Sequence, residues 1–489
     1  MRFCSLTLGC KVNQFETQGI ESILVSRGHT QAKPGDGCDV CIVNTCAVTA
    51  QSARKSRQAV RRMRNAEPDA LVAVCGCLAQ LEPQMALSLG ADLVGGSGDR
   101  RGFALEIEQL YNEKRADGSF AWRKQEDGSL AFLGDSGKQG DGLLAFSGGD
   151  EEMSPDFREP SLRFSEMSQR FRESSISMVA DARAERQAFE ELPPGVAAGR
   201  TRALVKIQDG CDNRCAYCVI PNARGRSRSL PAERAAGQAR SLGEQGFREI
   251  VVTGIEISSY GKDLPGNPTL TDAMRAISLA APGARLRLGS LDPGAVTEGF
   301  CRELGAISNL CDHFHLSLQS GCDATLRRMG RKYGTDAVSG AISSLRRLFP
   351  DCGITADLIV GFPGETDAEF GQTLEFIKAA AFSGMHIFPF SARPGTRAAD
   401  MPGQLDKCVK RERAGIAAAT AQAMSHRFRL SQVGKTVTVL FERRRCGFWT
   451  GHSGNYIEVC AEGAEGKNSM HEVRLAAVEG GFVFGEIID

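Results

Sequence analysis

The sequence predicts an α/β protein with an N-terminal Rossmann-like parallel-sheet domain, a central partial (β/α)6 barrel and a small C-terminal antiparallel β-barrel. Two patterns support this prediction. Short apolar segments alternate with helical segments through residues 1–111 and 201–428, which is typical of parallel sheets. Residues 429–489 instead contain strand-like segments separated by Gly-rich turns. A polar stretch, residues 112–200, separates the first two domains, and 489 residues are enough for several cores.

Four strands and three helices alternate in the N-terminal domain. We predict strands at 3–8, 39–44, 71–74 and 92–94, and helices at 14–26, 47–65 and 81–89. The carboxyl ends of parallel strands share one edge of the sheet, where ligands bind. Cys10, Cys46 and Cys77 each follow a strand end, so their thiols are expected to converge and to bind a metal cluster. The alternative is that they are small buried hydrophobic residues, and Cys75, inside its strand, leaves open which thiol binds.

The helix after Cys46 carries arginines at steps of three, four and three, which places Arg54, Arg57, Arg61 and Arg64 on one face. Such a face can contact nucleic-acid phosphates. The alternative is an ordinary solvated surface helix.

Residues 112–200 are polar and rich in Gly, Ser, Asp, Glu and Arg. They contain three near-copies of an Asp-Gly segment, at 117–122, 127–132 and 141–146, and Asp-Gly is a hairpin signal. Their surroundings are too polar to bury much surface, so we predict a mostly disordered insertion or linker. A helix over 162–192 would end at Pro193.

Six β-rich segments in the central domain, each followed by room for a helix, predict the partial (β/α)6 barrel. They lie at 203–207, 249–253, 285–288, 313–318, 354–360 and 385–390. Sites in such barrels form at the carboxyl ends of the strands. Glycine-rich loops follow several of these strands, and glycine lets the backbone approach a ligand closely.

The loop after the first barrel strand carries Cys211, Cys215 and Cys218 at C-x3-C-x2-C spacing. Zinc sites usually have four protein ligands in two pairs, and a second pair is missing nearby. Three thiolates suit a [4Fe–4S] cluster that keeps one iron open for a small molecule. Arginines follow directly, and we predict phosphate contacts for them, with a solvated loop as the alternative: Arg224, Arg226 and Arg228.

The C-terminal piece has predicted strands at 433–442, 456–461, 471–477 and 482–488. Arg443, Arg444 and Arg445 lie near Phe448, Trp449 and Tyr456, and cations mixed with aromatic side chains are typical of single-stranded RNA binders. A solvated turn is the alternative.

Composition narrows the class of protein. Basic and acidic residues number 59 each, so the net charge indicates no particular partner. Seventeen cysteines, an odd number, favour metal or cluster ligation over a disulfide framework. Met1 leads directly into a strand pattern and no apolar run reaches transmembrane length, so we expect a soluble, cytoplasmic protein.

Three groups of residues resemble a known family. The cysteine loop, with Tyr217 before its last cysteine, resembles the radical S-adenosylmethionine (SAM) enzymes. The segments 7–18, 44–49 and 76–80 resemble the N-terminal domain of the tRNA methylthiotransferases, and Leu8-Gly9-Cys10-Lys11-Val12-Asn13-Gln14 resembles the branch that acts on N6-threonylcarbamoyladenosine. The C-terminal piece resembles the RNA-binding TRAM domain.

The resemblance implies two [4Fe–4S] clusters, one on Cys211, Cys215 and Cys218 that chelates SAM, and an auxiliary one on Cys10, Cys46 and Cys77 that carries the sulfur. It also implies SAM contacts, with Gly254 and Glu256 near the methionine end and Gly361, Gly364 and Glu365 near the adenosine. Glu256 departs from the His or Asn that is common in relatives.

The implied reaction is radical methylthiolation of C2 of N6-threonylcarbamoyladenosine at position 37 of tRNA. The cofactors carry the radical chemistry, so we expect no catalytic residues beyond the cluster ligands. Alternatives are the same chemistry on N6-isopentenyladenosine-37 or on a ribosomal protein side chain, or a non-catalytic iron–sulfur RNA-binding regulator. Expected partners are tRNA, a one-electron donor such as flavodoxin or ferredoxin, and a sulfur source, with a monomeric enzyme and no membrane.

Overall fold

The computed structural model describes residues 1–116, 122–124, 130–132, 176–182, 188–195 and 200–488. The chain forms two compact units. The first contains residues 1–9, 20–46 and 51–180, and the second contains residues 10–19, 47–50 and 181–489. The first half of the first helix therefore belongs to the second unit, although the sequence pattern assigns it to the N-terminal domain.

The first unit is built on a six-stranded parallel sheet with the order β2-β1-β3-β4-β5-β8. Its strands are β1 (Arg2–Thr7), β2 (Thr30–Gln31), β3 (Val40–Thr45), β4 (Leu71–Gly76), β5 (Leu93–Gly95) and β8 (Ile176–Met178). The central strands β3 and β4 are buried along their whole length, as expected for a sheet covered on both faces. The parallel-sheet prediction is confirmed.

Helices connect the strands of this sheet, and all lie in the first unit except the first half of the first helix and Ala50, the first residue of the second helix. They are α1 (Lys11–Ser26), α2 (Ala50–Ala66), α3 (Cys77–Leu81), α4 (Pro83–Ser88) and α5 (Arg100–Ala116). The single helix predicted at 81–89 is wrong, because Pro83 starts a new helix at its first position, where a proline is tolerated. Helix α5 continues five residues past the expected domain boundary at residue 111.

Most of the predicted insertion lies outside the described residues, including the third Asp-Gly near-copy. Strand β6 (Trp122–Lys124), which begins at the last residue of the first near-copy, pairs antiparallel with β7 (Leu130–Phe132), which ends the second. Strand β8 pairs with β5 at the edge of the main sheet. The helix predicted over 162–192 is therefore wrong at residues 176–178. This part of the insertion forms an edge strand of the main sheet.

The barrel strands of the second unit are all parallel and form two groups. The order is β13-β12-β9 in a three-stranded sheet and β14-β15-β16-β17 in a four-stranded sheet. The strands are β9 (Arg202–Lys206), β12 (Glu249–Thr253), β13 (Arg285–Leu288), β14 (Ser290–Leu291), β15 (His313–Gln319), β16 (Gly353–Val360) and β17 (Gly384–Pro389). The six predicted strands are present, and the short β14 adds to them.

Eight helices accompany the barrel strands in the described part of the second unit, and the longer ones bury apolar side chains. They are α6 (Ile220–Arg224), α7 (Ala232–Glu244), α8 (Leu270–Ala280), α9 (Glu298–Gly305), α10 (Asp323–Met329), α11 (Thr335–Leu348), α12 (Asp367–Ala380) and α13 (Lys407–Leu430). A small hairpin of β10 (Gln208–Asp209) and β11 (Arg228–Ser229) brackets the cysteine loop. Among the described residues, every helix is too short or too polar to span a lipid bilayer.

The C-terminal strands close into a barrel with the order β18-β19-β20-β22-β21. They are β18 (Thr436–Arg445), β19 (Phe448–Ser453), β20 (Glu458–Ala461), β21 (Met470–Glu479) and β22 (Phe482–Ile487). The small C-terminal barrel is confirmed, with two differences. Strand β19 was not predicted, although its first three residues favour a strand, and the β20–β22 pair is parallel.

Candidate functional site

Three thiols occupy the loop between β10 and α6. Cys211, Cys215 and Cys218 are all half-buried and free of disulfides. The backbone N–H of Cys211 donates to the Gly225 carbonyl at 3.0 Å, and that of Cys218 donates to the Cys215 carbonyl at 3.2 Å. The loop thus has a defined turn, and its sulfurs remain accessible to a metal cluster.

Gln208 and Gly210, which precede the first cysteine, determine the conformation of this loop. Gly210 has φ +69°, and a Cβ there would lie 1.9 Å from the Arg226 carbonyl oxygen, so only glycine fits. The Gln208 side chain donates to the Gly210 carbonyl at 2.8 Å and accepts the N–H of Glu256 at 2.7 Å. Gln208 therefore joins the loop after β9 to the loop after β12, a role that its place in the sequence did not reveal.

Tyr217, in the cysteine loop, is half-buried. It packs against an apolar cluster that includes Ala216, Met329 and Phe362. The N–H of Ala216 donates to the Met329 carbonyl at 2.8 Å, so the loop is tied to the end of α10. Burial raises the pKa of Tyr217 well above its usual range. The side chain is positioned to support the loop.

Arg331 is a site residue that the sequence reasoning missed. Its Nη1 donates to the Cys215 Sγ at 3.2 Å, and its Nη2 pairs with Asp292 at 2.9 Å. Nothing in the residues around it, between α10 and α11, marks it as functional. The contact shows that the fold places a fixed cation beside one of the three thiols.

The donor set fits a [4Fe–4S] cluster with three protein thiolates. Burial raises the pKa of Cys211 to about 11 and that of Cys218 to about 12, so as free thiols they are protonated at neutral pH. A bound iron would hold them as thiolates and release protons. The Arg331 guanidinium at Cys215 is already arranged to meet a negatively charged sulfur.

A cavity of about 460 Å³ opens beside the cysteine loop. It is lined by the loop residues Asp212 and Asn213 and by Glu256, Asp292 and Tyr333 among others. Burial, and then the nearby Asp292 carboxylate, raises the pKa of Glu256 above its usual value. Four carboxylates line the cavity together with two lysines, Lys262 and Lys332, so the excess of negative charge suits a small ligand with a cationic group. Of the predicted SAM contacts, Glu256 lies in this lining.

The other predicted SAM contacts form turns. Gly254 follows β12, and a Cβ there would lie 2.8 Å from the Gln208 carbonyl oxygen. Gly361 and Gly364 both have positive φ in the turn after β16. Glu365 Oε2 accepts the Gly361 N–H and the Arg413 Nη1–H, each at 2.7 Å, so this carboxylate holds the turn itself. Adenosine contact by these three residues stays a prediction.

A buried ion cluster lies behind the cysteine loop. Arg224 donates to both oxygens of Glu16, at 2.7 and 3.0 Å, and to Asp209 at 3.0 Å. Lys206 contacts the same two carboxylates, and Arg228 contacts Asp209 at 3.2 Å. Burial opposes ionisation of Asp209, but the three cations hold its pKa well below its usual value.

This cluster corrects part of the RNA prediction. Arg224 is only 1% exposed and Arg228 only 7%, and both guanidinium groups already bind carboxylates, so they are not available to phosphates. Arg226, between them, is exposed, and its phosphate contact stays a prediction. The sequence shows three alternating arginines, but not that the hairpin around them turns two of them inward.

In the first unit, Cys46 and Cys77 follow the paired ends of β3 and β4, where Thr45 lies opposite Gly76. Both are buried. Gly76 has φ +98°, and a Cβ there would lie 2.3 Å from the Asn44 Oδ1. The two thiols therefore come from adjacent strand ends, as predicted.

Cys75 and Cys10 complete the predicted N-terminal set. Cys75 lies inside β4, whereas Cys77 follows the end of that strand, and both are buried. Cys10 belongs to the second unit, where it is exposed and immediately precedes α1. Ligation by all three thiols stays a prediction.

The arginine face of α2 divides into two kinds of residue. Arg54 and Arg61 are exposed. Arg57 pairs with Glu82 at 3.6 Å. Arg64 donates to the carbonyls of residues 68, 70 and 90 and pairs with Asp92, so it fastens the end of α2 to the sheet and does not face a ligand. Its predicted phosphate contact is corrected on this ground.

The three arginines at the end of β18 are exposed, as a phosphate contact requires. Arg443 pairs with Glu458 at 3.0 Å, and Arg445 stacks over the Phe482 ring. Tyr456, in contrast, stacks against His313 with ring centroids 4.5 Å apart. This aromatic side chain joins the C-terminal barrel to the central one while 37% of it stays exposed.

The chain resembles known proteins along most of its length. Residues 2–96 match the family described as Uncharacterized protein family UPF0004, and residues 205–377 match the Radical SAM superfamily. The latter implies SAM and a [4Fe–4S] cluster. A threonylcarbamoyladenosine tRNA methylthiotransferase MtaB of Bacillus subtilis is 31% identical over 94% of this chain and 90% of the relative. A tRNA-2-methylthio-N(6)-dimethylallyladenosine synthase of Syntrophotalea carbinolica is 29% identical over 89% and 87%.

Among solved structures, the radical SAM methyltransferase TsrM from Kitasatospora setae superposes with a TM-score of 0.50 and 16% identity, covering 81% of this chain and 74% of TsrM. At that identity the likeness concerns the fold alone. The sequence matches extend over most of the chain, and the cysteine loop and its cavity are consistent with them. The chain belongs to the radical SAM tRNA methylthiotransferase family.

Proposed function

We propose that this protein transfers a methylthio group to C2 of N6-threonylcarbamoyladenosine at position 37 of tRNA. The observation that carries the proposal is the half-buried thiol triad beside a 460 Å³ acidic cavity in a chain of this family. The choice of substrate rests on the names of its relatives and on the segment Leu8–Gln14. The dimethylallyladenosine relative keeps N6-isopentenyladenosine as the second candidate.

In this proposal, Cys211, Cys215 and Cys218 hold a cluster that supplies the one-electron chemistry needed to break an inert C–H bond when SAM is bound. Cys10, Cys46 and Cys77 hold an auxiliary cluster. The C2–H bond breaks and a C2–S bond forms. The methyl group would come from one SAM, which leaves as S-adenosylhomocysteine. The hydrogen would leave on the 5′-deoxyadenosine of a second SAM, whose other product is methionine and whose cleavage takes one electron from the external donor.

The remaining residues bind and orient. Glu256 and Asp292 present carboxylates to the cavity, where the cationic end of SAM would be held. Exposed arginines provide phosphate contacts that position tRNA without reading its sequence: Arg54, Arg61, Arg226, Arg443, Arg444 and Arg445. A flavodoxin or ferredoxin would supply electrons and a separate source the sulfur, in the cytoplasm.

The test is mass spectrometry of tRNA nucleosides from cells lacking this gene, complemented with wild type, Cys211→Ala or Cys408→Ala. Cys408 is an exposed thiol at the start of α13 and serves as the matched control. We expect 2-methylthio-N6-threonylcarbamoyladenosine to return with wild type and Cys408→Ala and to stay absent with Cys211→Ala.

Other outcomes are equally informative. If the deletion removes 2-methylthio-N6-isopentenyladenosine instead, the chemistry stands and the substrate is wrong. If neither nucleoside changes, the proposal fails, and a non-catalytic role becomes the better explanation.

A further inference from the structure

The Arg331 side chain is held on several sides. Its Nε donates to the Tyr333 hydroxyl at 2.9 Å, its Nη2 pairs with Asp292 at 2.9 Å, and its Nη1 donates to the Cys215 Sγ at 3.2 Å. Tyr333 is fixed in turn, since its hydroxyl donates to the Leu318 carbonyl at 3.2 Å. The guanidinium also stacks on the Tyr333 ring, 4.6 Å from its centroid. Its position is set by the fold.

The side chain is also shielded from solvent, with 7% of its surface exposed. A charge in such an environment is weakly screened, so its interaction with a neighbouring charge is stronger than at the surface. A planar guanidinium can hold several hydrogen bonds in one fixed fork, which a lysine cannot. Arg331 thus presents a directed N–H and a persistent positive charge to one ligand sulfur.

We propose that Arg331 tunes the reduction potential of the cluster held by Cys211, Cys215 and Cys218. Hydrogen bonds to ligand sulfurs and the net local charge set the potential of iron–sulfur clusters. Reduction adds negative charge, and a cation beside a sulfur stabilises the reduced form more than the oxidised form. Arg331 therefore makes the cluster easier to reduce. It acts through Cys215 as a positioning residue.

This inference rests on the proposed cluster at the three cysteines. It is separable from the proposed function because cluster content and potential can be measured without tRNA. Iron and sulfide content of the wild-type protein tests the cluster, and redox titration tests Arg331.

The experiment compares reconstituted full-length wild type, Arg331→Gln, Arg331→Lys and Arg397→Gln by EPR-monitored redox titration. Arg397 is the matched control, because its Nη2 donates to the Arg214 carbonyl of the same loop at 2.8 Å but contacts no ligand sulfur. The signal that changes when SAM is added identifies the cluster with the open iron. SAM affinity is measured in parallel by equilibrium binding.

We expect a more negative midpoint potential in Arg331→Gln, a smaller shift in Arg331→Lys and no shift in Arg397→Gln, with unchanged iron content. An unchanged potential in Arg331→Gln would overturn the proposal. Loss of SAM affinity without a change in potential would also overturn it and would assign Arg331 to the SAM carboxylate. If Arg331→Gln loses its cluster, the test rests on Arg331→Lys, which keeps the positive charge but loses the planar guanidinium. A midpoint potential of Arg331→Lys equal to that of wild type would then contradict the proposal.

Discussion

At the scale of single residues, the loop that carries the three thiols depends on a charged core. Arg224 satisfies Glu16 in α1 and Asp209 just before the cysteine loop, and it also donates to the Asn13 side chain at 2.7 Å. Buried ion pairs seldom add net stability over apolar residues, but removing one partner leaves the other charges uncompensated. The cluster therefore specifies how the segment after Cys10 packs against the loop before Cys211.

Replacing Arg224 with methionine should destabilise the protein by about 3–5 kcal/mol, because Glu16 and Asp209 would remain buried without their main partner. Urea unfolding of the metal-free chain measures this change. Arg226→Met, at the exposed neighbouring arginine, should change the unfolding free energy by less than about 0.5 kcal/mol. Equal effects of the two variants would show that the ion cluster does not stabilise the fold.

At the scale of elements, the turn from β4 to α3 presents Cys77. Gly76 ends the strand with φ +98°, and its Cα lies against the side chain of Asn44 and the backbone of Thr45 on the neighbouring strand. The Thr45 hydroxyl donates to the Cys75 carbonyl at 2.6 Å and accepts the Ala79 N–H at 3.1 Å. Any side chain at residue 76 must push these strands apart.

Gly76→Ala should therefore displace the turn and weaken cluster binding at Cys77. We expect reconstituted Gly76→Ala to contain less iron than wild type, with the loss confined to the auxiliary cluster. Gly246→Ala is a suitable control, because Gly246 also has positive φ but its Cβ would meet open space. If Gly76→Ala and Gly246→Ala retain the same iron, Cys77 is not placed by this turn or does not bind iron.

Helix α2 makes a second prediction at this scale. Arg54 and Arg61 are exposed on it, while Arg64 is committed to the sheet. The double variant Arg54→Gln/Arg61→Gln should bind tRNAs of different sequence more weakly by a similar factor, and its affinity should depend less on salt concentration. Filter binding across a salt series measures both. The exposed Arg240 on α7 provides a control substitution, Arg240→Gln, which should leave the salt slope unchanged.

At the scale of the second unit, Glu249 couples the central barrel to the C-terminal one. Its carboxylate binds Arg285 at 2.7 Å and Arg287 at 2.8 Å. Arg285 donates to the His452 carbonyl at 2.7 Å, and Arg287 donates to the Gly454 carbonyl at 2.7 Å. Burial opposes ionisation of Glu249, but these arginines lower its pKa to about 2.

A group whose folded-state pKa is depressed stabilises the fold above its unfolded pKa and loses that contribution as the pH falls. For Glu249 the window runs from its ordinary value of 4.5 down to about 2. Glu249→Gln should therefore be less stable than wild type by about 3 kcal/mol at pH 7, and the difference should shrink as the pH falls through this window. Urea unfolding of the metal-free chain at several pH values measures it.

A surface ion pair provides the comparison for this prediction. Glu298 is about half exposed and pairs with Arg302. Glu298→Gln should cost less than about 1 kcal/mol and show little dependence on pH in the same window. A Glu249→Gln difference that stays constant from pH 7 to pH 2 would contradict the ion-pair explanation.

Local sequence was sufficient for the order and type of most elements. The strands that follow apolar runs, such as β12 and β13, begin and end where predicted, and the spacing of Cys211, Cys215 and Cys218 by itself marks a metal loop. Strand β19 was missed although its first three residues, Phe448, Trp449 and Thr450, favour a strand, because its aromatic residues were interpreted together with the preceding arginines as an RNA-binding feature.

The sequence by itself determined the three-part α/β architecture and led to the prediction of which thiols bind metal, because strand and helix periods and cysteine spacing are local properties of the chain. Only the tertiary structure decided which arginines are buried in ion pairs, which are exposed and which contact a cysteine sulfur. Arg224 and Arg228 are equivalent to Arg226 in the sequence, yet they lie in a buried ion cluster, while Arg331, more than a hundred residues from Cys215, donates to its sulfur. Burial and long-range contact set the energy of a charge, and neither is a property of the residues beside it.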